Sequence, residues 1–423
     1  MAGFIEDRWL KKRPDPVTGK RERTARWGTG MRYRVGGVFG VPARSFTTLE
    51  DAKAWLASAQ TDVRRNDFVD PRGGDMLLVE YIKEKYLPSR RDEPSTAVSM
   101  GSRIDNHIIP LIGHVPLRAI NAATLRIWVS QLLDHVSEST AEVIWIHLKT
   151  ILNAAVEDDL IRKNPCSSKR TVKAPKAPER KAKAWTQATT SSVREGLQDR
   201  YRIAVDLGVG LGLRQGEAFA LGLDDIDFDK GVVHIKRQLR WDYRARPYFC
   251  LPKSRKARQV PLPPNLAQRL RDHIDRFPPI ACTLPWRNPE PPTTALEARQ
   301  RKPITVPLLL TTGQGNRIFY RTWNDRSWKP ALAGAGVIAI VGSKEVVGSS
   351  RTRTFPVFEA SREDMYHVCR HTFASVQLEA GESIVSVSQW LGHSSPSVTL
   401  QHYAHFMPDA GKRGRDAMDS WFS

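Results

Sequence analysis

The sequence predicts a multidomain chain, mainly α with small antiparallel sheets. Three observations point there. A length of 423 residues corresponds to roughly three domains at about 150 residues each. Hydrophobic spacing changes along the chain, from short alternating runs to helical period and then to a mixture of the two. A basic, proline-containing stretch separates the last two regimes. The expected division is a three-stranded sheet plus one helix over residues 1–70, an all-helical domain over 74–165, a basic linker over 166–183, and an α+β domain with a C-terminal tail over 184–423.

Composition narrows the function classes. Lys and Arg number 65 against 45 Asp and Glu, a net charge of +20 that favours a polyanionic partner. Apolar residues make up 40% and charged residues 26%, which excludes wholesale disorder. The four cysteines, Cys166, Cys250, Cys282 and Cys369, form no CxxC pair, against a disulfide scaffold or a four-cysteine zinc site. The opening MAGFIEDRWLKKRPD has no signal-peptide core, and no apolar run approaches the roughly 18 residues that span a bilayer. A soluble, intracellular protein without a membrane partner is expected.

Residues 1–70 begin with ten Lys/Arg between Arg8 and Arg34 against Asp15 and Glu22. Short segments TARWGT, MRYRVGG and ARSFTT, punctuated by Gly and Pro, read as strands; Thr47 with Glu50 then opens the amphipathic run LEDAKAWLASAQTDVRR. Over 74–165 four stretches carry helical period: MLLVEYIKEKYL, AVSMGSRIDNHI, ATLRIWVSQLLDHV and AEVIWIHLKTILNAAVEDDLI. The linker holds most of the nine Lys/Arg between Arg162 and Lys183. Beyond it one helix is expected through SSVREGLQDRYRIAVDLGVGLG, followed by β segments GVVHIKRQ, YFCLPK and RQVPLP, the last two as a hairpin around SRKA. A Pro-rich stretch from Phe277 to Pro307 and a Gly/Ser/Thr-rich one from Gly342 to Phe358 read as surface loops.

Three clusters could carry chemistry. In GLGLRQGEAFALGLDDIDF, Arg214 and Glu217 stand three apart, either a structural ion pair or a guanidinium held ready for a phosphate. Nearby, Asp225, Asp227 and Asp229 mimic a calcium loop but meet Lys236 where the bidentate Glu belongs, and Gly208, Gly210 and Gly212 miss the dinucleotide fingerprint at Leu213. The hairpin projects Lys253, Arg255, Lys256 and Arg258, a set that tracks a DNA backbone or, through Lys253 at the strand end, protonates a leaving alkoxide. In MYHVCRHTFASVQLEAGESIVSVSQWLGHSSPSVTLQHYAHF, His367, Arg370 and His371 share one helical face. A zinc pair of His367 and His371 lacks a third ligand at usual spacing. His393 follows a Gly at a helix end, and Tyr403 taken alone reads as a packed aromatic.

In this order and spacing the residues resemble the tyrosine recombinase, or phage integrase, family. The resemblance spans about 190 residues through Arg214 with Glu217, Lys253, His367 with Arg370 and His371, His393 and Tyr403. It implies a tyrosine recombinase catalytic domain, a helical core-site-binding domain over 74–165 and an N-terminal arm-type DNA-binding domain over 1–70. It implies a site-specific recombinase that cuts and rejoins DNA through a 3′-phosphotyrosyl link on Tyr403, integrating or excising a mobile element. Arg214 and Arg370 would hold the phosphate, Glu217 would orient Arg214, His367 would accept the tyrosine proton, Lys253 would protonate the 5′ oxygen, and His393 would donate to the phosphate. No cofactor and no metal are expected, since there is no acidic cluster suited to Mg²⁺. Expected partners are double-stranded DNA attachment sites, a tetramer of the chain itself at the synapse, and DNA-bending and directionality factors, in the cytoplasm on the nucleoid. A type IB topoisomerase and a DNA-binding protein without catalysis are the rival readings.

Overall fold

A computed structural model describes residues 3–38, 40–64, 73–92, 94–167, 172–178, 182–242, 244–253, 255–287, 294–296, 302–347, 352–360, 362–407 and 411–422. The chain forms two compact units, Met1–Pro178 and Glu179–Ser423.

The first unit opens with an antiparallel sheet of β1 (Phe4–Asp7), β2 (Tyr33–Gly36) and β3 (Arg44–Phe46), in that order. The helix Leu49–Arg64 covers it through the buried Ala52 and Ala59. Its start is fixed one residue later than Thr47 and Glu50 suggest. The Thr48 hydroxyl donates to Asp51 at 2.6 Å and accepts the Asp51 N–H at 3.2 Å, so two orphan groups of the first turn satisfy each other. The basic stretch between β1 and β2 is not a solvated tail. It folds back on itself through Arg8 N–H to Arg32 O (2.8 Å) and Lys11 N–H to Glu22 O (2.8 Å), and Arg23 stacks over Trp27.

Helical stretches 78–89 and 94–112 and the helices Ala122–His135 and Glu138–Glu157 follow, each burying one stripe. Tyr81, Ile104, Ile108, Leu148 and the stacked pair Trp128 and Trp145 fill the centre. Asn121 caps the Ala122–His135 helix by accepting from the N–H groups of Ala123 and Thr124. Parts of the expected linker, 168–171 and 179–181, lie outside the described residues.

In the second unit the single helix expected after the linker is two, Gln187–Glu195 and Asp199–Leu211, because the chain turns at Gly196 to bury Leu197. The glycines that imitate a nucleotide loop serve packing. A Cβ on Gly208 would stand 2.6 Å from the Cβ of Cys369 and 2.9 Å from the Tyr366 hydroxyl, so only glycine lets this helix lie so close to the helix His367–Glu379. Gly212 ends it at φ +64. Asp225 does not face a cation site; its carboxylate takes the Gly222 N–H, Arg237 and Lys236.

The strands flanking SRKA are not partners. A three-stranded sheet runs β4 (Ile226–Asp227), β5 (Val232–Ile235) and β8 (Arg258–Pro261), while β6 (Gln238–Trp241) pairs with β7 (Pro247–Cys250). The chain after Cys250 therefore passes from one sheet to the other, which it enters at Arg258. Both expected surface loops contain strands. β9 (Ile280–Leu284) pairs with β10 (Ile304–Leu308), with 288–293 and 297–301 outside the described residues. β11 (Ala339–Val347) and β12 (Thr352–Glu359) form a hairpin whose Val, Thr and Phe content suits a ladder, with 348–351 outside them. Trp185, Trp323, Trp328 and Tyr366 stack in the core behind the helix His367–Glu379. The C-terminal helix Gly411–Phe422 leaves Trp421 and Phe422 exposed; 408–410 lie outside the described residues. Among the described residues no helix is long and apolar enough to cross a membrane.

Candidate active site

Glu217 is the centre of the site. Its side chain is fully buried and meets two guanidiniums, Arg214 Nη1 at 3.0 Å and Arg258 through Nη1 at 3.0 Å and Nη2 at 2.7 Å. Arg214 is the residue before the short helix Gln215–Ala218, with extended backbone, and its own N–H donates to Glu217 at 2.9 Å. Burial alone would raise the Glu217 pKa, but Arg258, then Arg214 and Arg370, override it and hold the carboxyl at about 2.

Arg370 comes from the helix His367–Glu379 and is wholly buried. Its Nη1 donates to Gly212 O at 2.8 Å and its Nη2 to Leu391 O, while Nε has no hydrogen-bond partner among the described residues. Burial, then the neighbouring Arg214, lowers its pKa to about 9 despite Glu217. His393 follows the left-handed Gly392 that ends the helix Ile384–Leu391, and its Nδ1 is 2.7 Å from the Thr399 hydroxyl. Tyr403 ends the helix Pro396–Tyr403 and is 2% exposed.

No family model matches the chain. Among curated proteins it is 26% identical over 373 residues, 84% of this chain and 85% of the relative, to a "Tyrosine recombinase XerC-like" protein of Caldanaerobacter subterraneus. It is 24% identical to the integrase of Mycobacterium phage D29, covering 88% of this chain and 86% of that one. Of solved structures, the Tn1549 transposon integrase with transposon right end DNA superposes at TM-score 0.60, with 18% identity, 82% of this chain and all of that one. A lambda integrase dimer bound to a COC′ core site superposes at 0.51, with 14% identity, covering 97% and 95%.

Over most of its length the chain is similar to tyrosine recombinases and phage integrases, and its fold is that of the integrases it superposes on.

The structure brings Arg214, Glu217, His367, Arg370, His371, His393 and Tyr403 into one region, with Lys253 at its edge. The charges of Arg370 and Arg214 reach Tyr403 and His393, and those of Arg370, Arg214 and Lys253 reach His367. Lys253 is exposed in the turn between β7 and β8, past the strand end where the sequence put it, and has no ion pair among the described residues. Arg255, at φ 56, helps shape that turn.

One expectation changes. The side chain that meets the tyrosine is His371, not His367: His371 Nδ1 lies 2.7 Å from the Tyr403 hydroxyl. His367 packs edge-on against His371, one turn earlier on the helix. The three imidazoles are neutral at pH 7. Burial first, then neighbouring positive charge, lowers His367 and His393 to about 3 and His371 to about 4. Burial raises Tyr403 to about 12, against the pull of Arg370 and Arg214.

Arg258 is the participant that sequence reasoning left among four basic turn residues. Its signal was position: it opens a β strand beside apolar residues, where an unpaired arginine is not tolerated. The chain entering the second unit is also lashed to the site. The Trp185 N–H donates to the Thr372 hydroxyl at 2.9 Å, and His405, two residues past the tyrosine, lies 3.3 Å from Ala182 O.

Proposed function

We propose that this protein is a site-specific DNA recombinase of the integrase type, which cuts and rejoins duplex DNA through a 3′-phosphotyrosyl intermediate on Tyr403. The observation that carries this reading is the meeting, over 190 residues of sequence, of Arg214 and Arg370 at the buried Glu217 with His367, His371, His393 and Tyr403 beside them.

The Tyr403 oxygen attacks phosphorus as its proton passes to His371, and the bond from phosphorus to the 5′ oxygen breaks. Lys253 gives a proton to that oxygen; its exposed ammonium is open to a group arriving with the DNA. Arg214 and Arg370 hold the non-bridging oxygens, each worth about 10²–10³ in rate, while His367 and His393 donate to them once the phosphate has raised their pKa values. The tyrosyl ester stores the bond, so rejoining is the same sequence reversed. These roles need no metal. Residues 1–70 bind arm-type sites and 74–165 the core site, with the basic surfaces making affinity fall steeply with salt. Four protomers pair two sites, aided by DNA-bending and directionality factors, on the nucleoid.

The test is recovery of SDS-stable protein–DNA adducts from cells expressing wild type or Tyr403→Phe, with chelator present, followed by sequencing of the attached ends. Adducts at discrete sites that vanish in the variant are expected. Adducts scattered over the genome would replace this reading with a topoisomerase, and loss on chelation would overturn metal independence.

A further inference from the structure

We infer that Arg258 is a positioning residue for strand cleavage, keeping Glu217 from capturing the phosphate-binding donors of Arg214. This deepens the recombinase reading and rests on it.

The geometry has a competition built into it. A carboxylate and a guanidinium left alone in a dry site close into a bidentate fork. Here that fork belongs to Arg258, whose Nη1 and Nη2 take both oxygens of Glu217 at 3.0 and 2.7 Å. Arg214 is left with a single side-chain contact, Nη1 to Oε1 at 3.0 Å, and a partly exposed guanidinium with donors to spare. Glu217 thus aims Arg214 without consuming it. Remove the Arg258 fork and the same carboxylate, still buried and needing donors, turns onto Arg214.

Arg258 is also placed to align two other parts of the site. Its Nε donates to Trp390 O at 2.6 Å, in the last turn before Gly392 and His393. Its backbone is pinned opposite Ile235 in the β5–β8 ladder, and it closes the crossing that carries Lys253. Its side chain is only 7% exposed, so this guanidinium faces the protein rather than DNA. Lysine would restore the charge but neither the fork nor the Nε bond.

The experiment is single-turnover cleavage of a nicked duplex carrying the mapped site, alongside DNA affinity and thermal unfolding, for wild type, Arg258→Met, Glu217→Gln and the double variant. Arg258→Met is expected to cut about 10²-fold more slowly, the scale of a lost phosphate donor, with affinity within a few-fold of wild type. Glu217→Gln added to Arg258→Met is expected to restore cleavage at least ten-fold, because a neutral amide grips Arg214 weakly. Arg258→Lys should fall between wild type and Met, and serves in the same pairing if Arg258→Met does not fold. A double variant no faster than Arg258→Met overturns the role, leaving an ordinary buried ion pair. Wild type that forms no Tyr403-dependent adduct takes down the recombinase reading and this role together.

Discussion

His371 Nδ1 and the Tyr403 hydroxyl are 2.7 Å apart, the contact through which the proposed nucleophile would lose its proton. His371→Asn keeps a hydrogen-bonding atom near the Nδ1 position but is no base. It should lower the rate of covalent adduct formation by about 10²–10³-fold, within the range for general base catalysis, with DNA affinity intact. Measured beside it, a larger loss in His367→Asn would return the proton acceptor role to His367.

Acid should loosen the second unit well above the pH at which carboxylates titrate. The folded pKa values of His367, His371 and His393 lie at about 3 to 4, below the unfolded value near 6.5. Below pH 6.5 the unfolded chain therefore takes up protons that the folded chain refuses, and stability falls towards pH 4. Glu217, depressed to about 2, adds its own loss from about pH 4.5 downward. Urea midpoints between pH 7.5 and 4.5 should fall, and fall less in a variant with the three histidines changed to glutamine. Equal slopes would mean that other groups govern the acid response.

Glu217→Ala leaves Arg214, Arg258 and Arg370 facing one another without a buried counter-charge. Breaking such a pair costs about 3–5 kcal/mol, which for a unit of this size lowers the melting temperature by roughly 6–20 °C. Calorimetry is the check; an unchanged transition would mean that the three guanidiniums are solvated in the absence of DNA.

Gly208→Ala places a methyl group 2.6 Å from the Cβ of Cys369 and 2.9 Å from the Tyr366 hydroxyl, and a Cβ moves only with its helix. Overpacking of this kind costs about 1–3 kcal/mol and pushes the helix bearing His367, Arg370 and His371 away from Arg214. Slower cleavage with near-normal DNA binding is expected from a gel-shift and adduct assay on the same preparation. Normal cleavage would show that the helix shifts without cost.

Chemistry was easier to read from this sequence than pairing. Arg214, Glu217, His367, Arg370, His393 and Tyr403 stand out because reacting residue types recur at helical or turn spacing beside Gly and apolar residues. Strand partners do not show themselves that way. YFCLPK and RQVPLP have every mark of a hairpin, yet β7 belongs to β6 and β8 to β5, since register depends on surfaces elsewhere in the fold. The same holds for β11 and β12, hidden under Gly and Ser whose turn chemistry masked the Val and Phe beside them. Local spacing also cannot choose between two histidines a turn apart: both lie on one face, and only the approach of Tyr403 from a distant helix selects His371. The role of Arg258 could not be told from its position alone for a similar reason, its partners being 41 and 132 residues away.

Arg370 joins two backbone turns, at Gly212 and Leu391, with the same guanidinium that is proposed to hold the phosphate. A site built so cannot be disarmed gently at that position. A change there unlaces the scaffold as well as silencing the chemistry, so an inert chain that still occupies its DNA, and thereby acts as a competitor of its active siblings, arises through Tyr403 and not through Arg370.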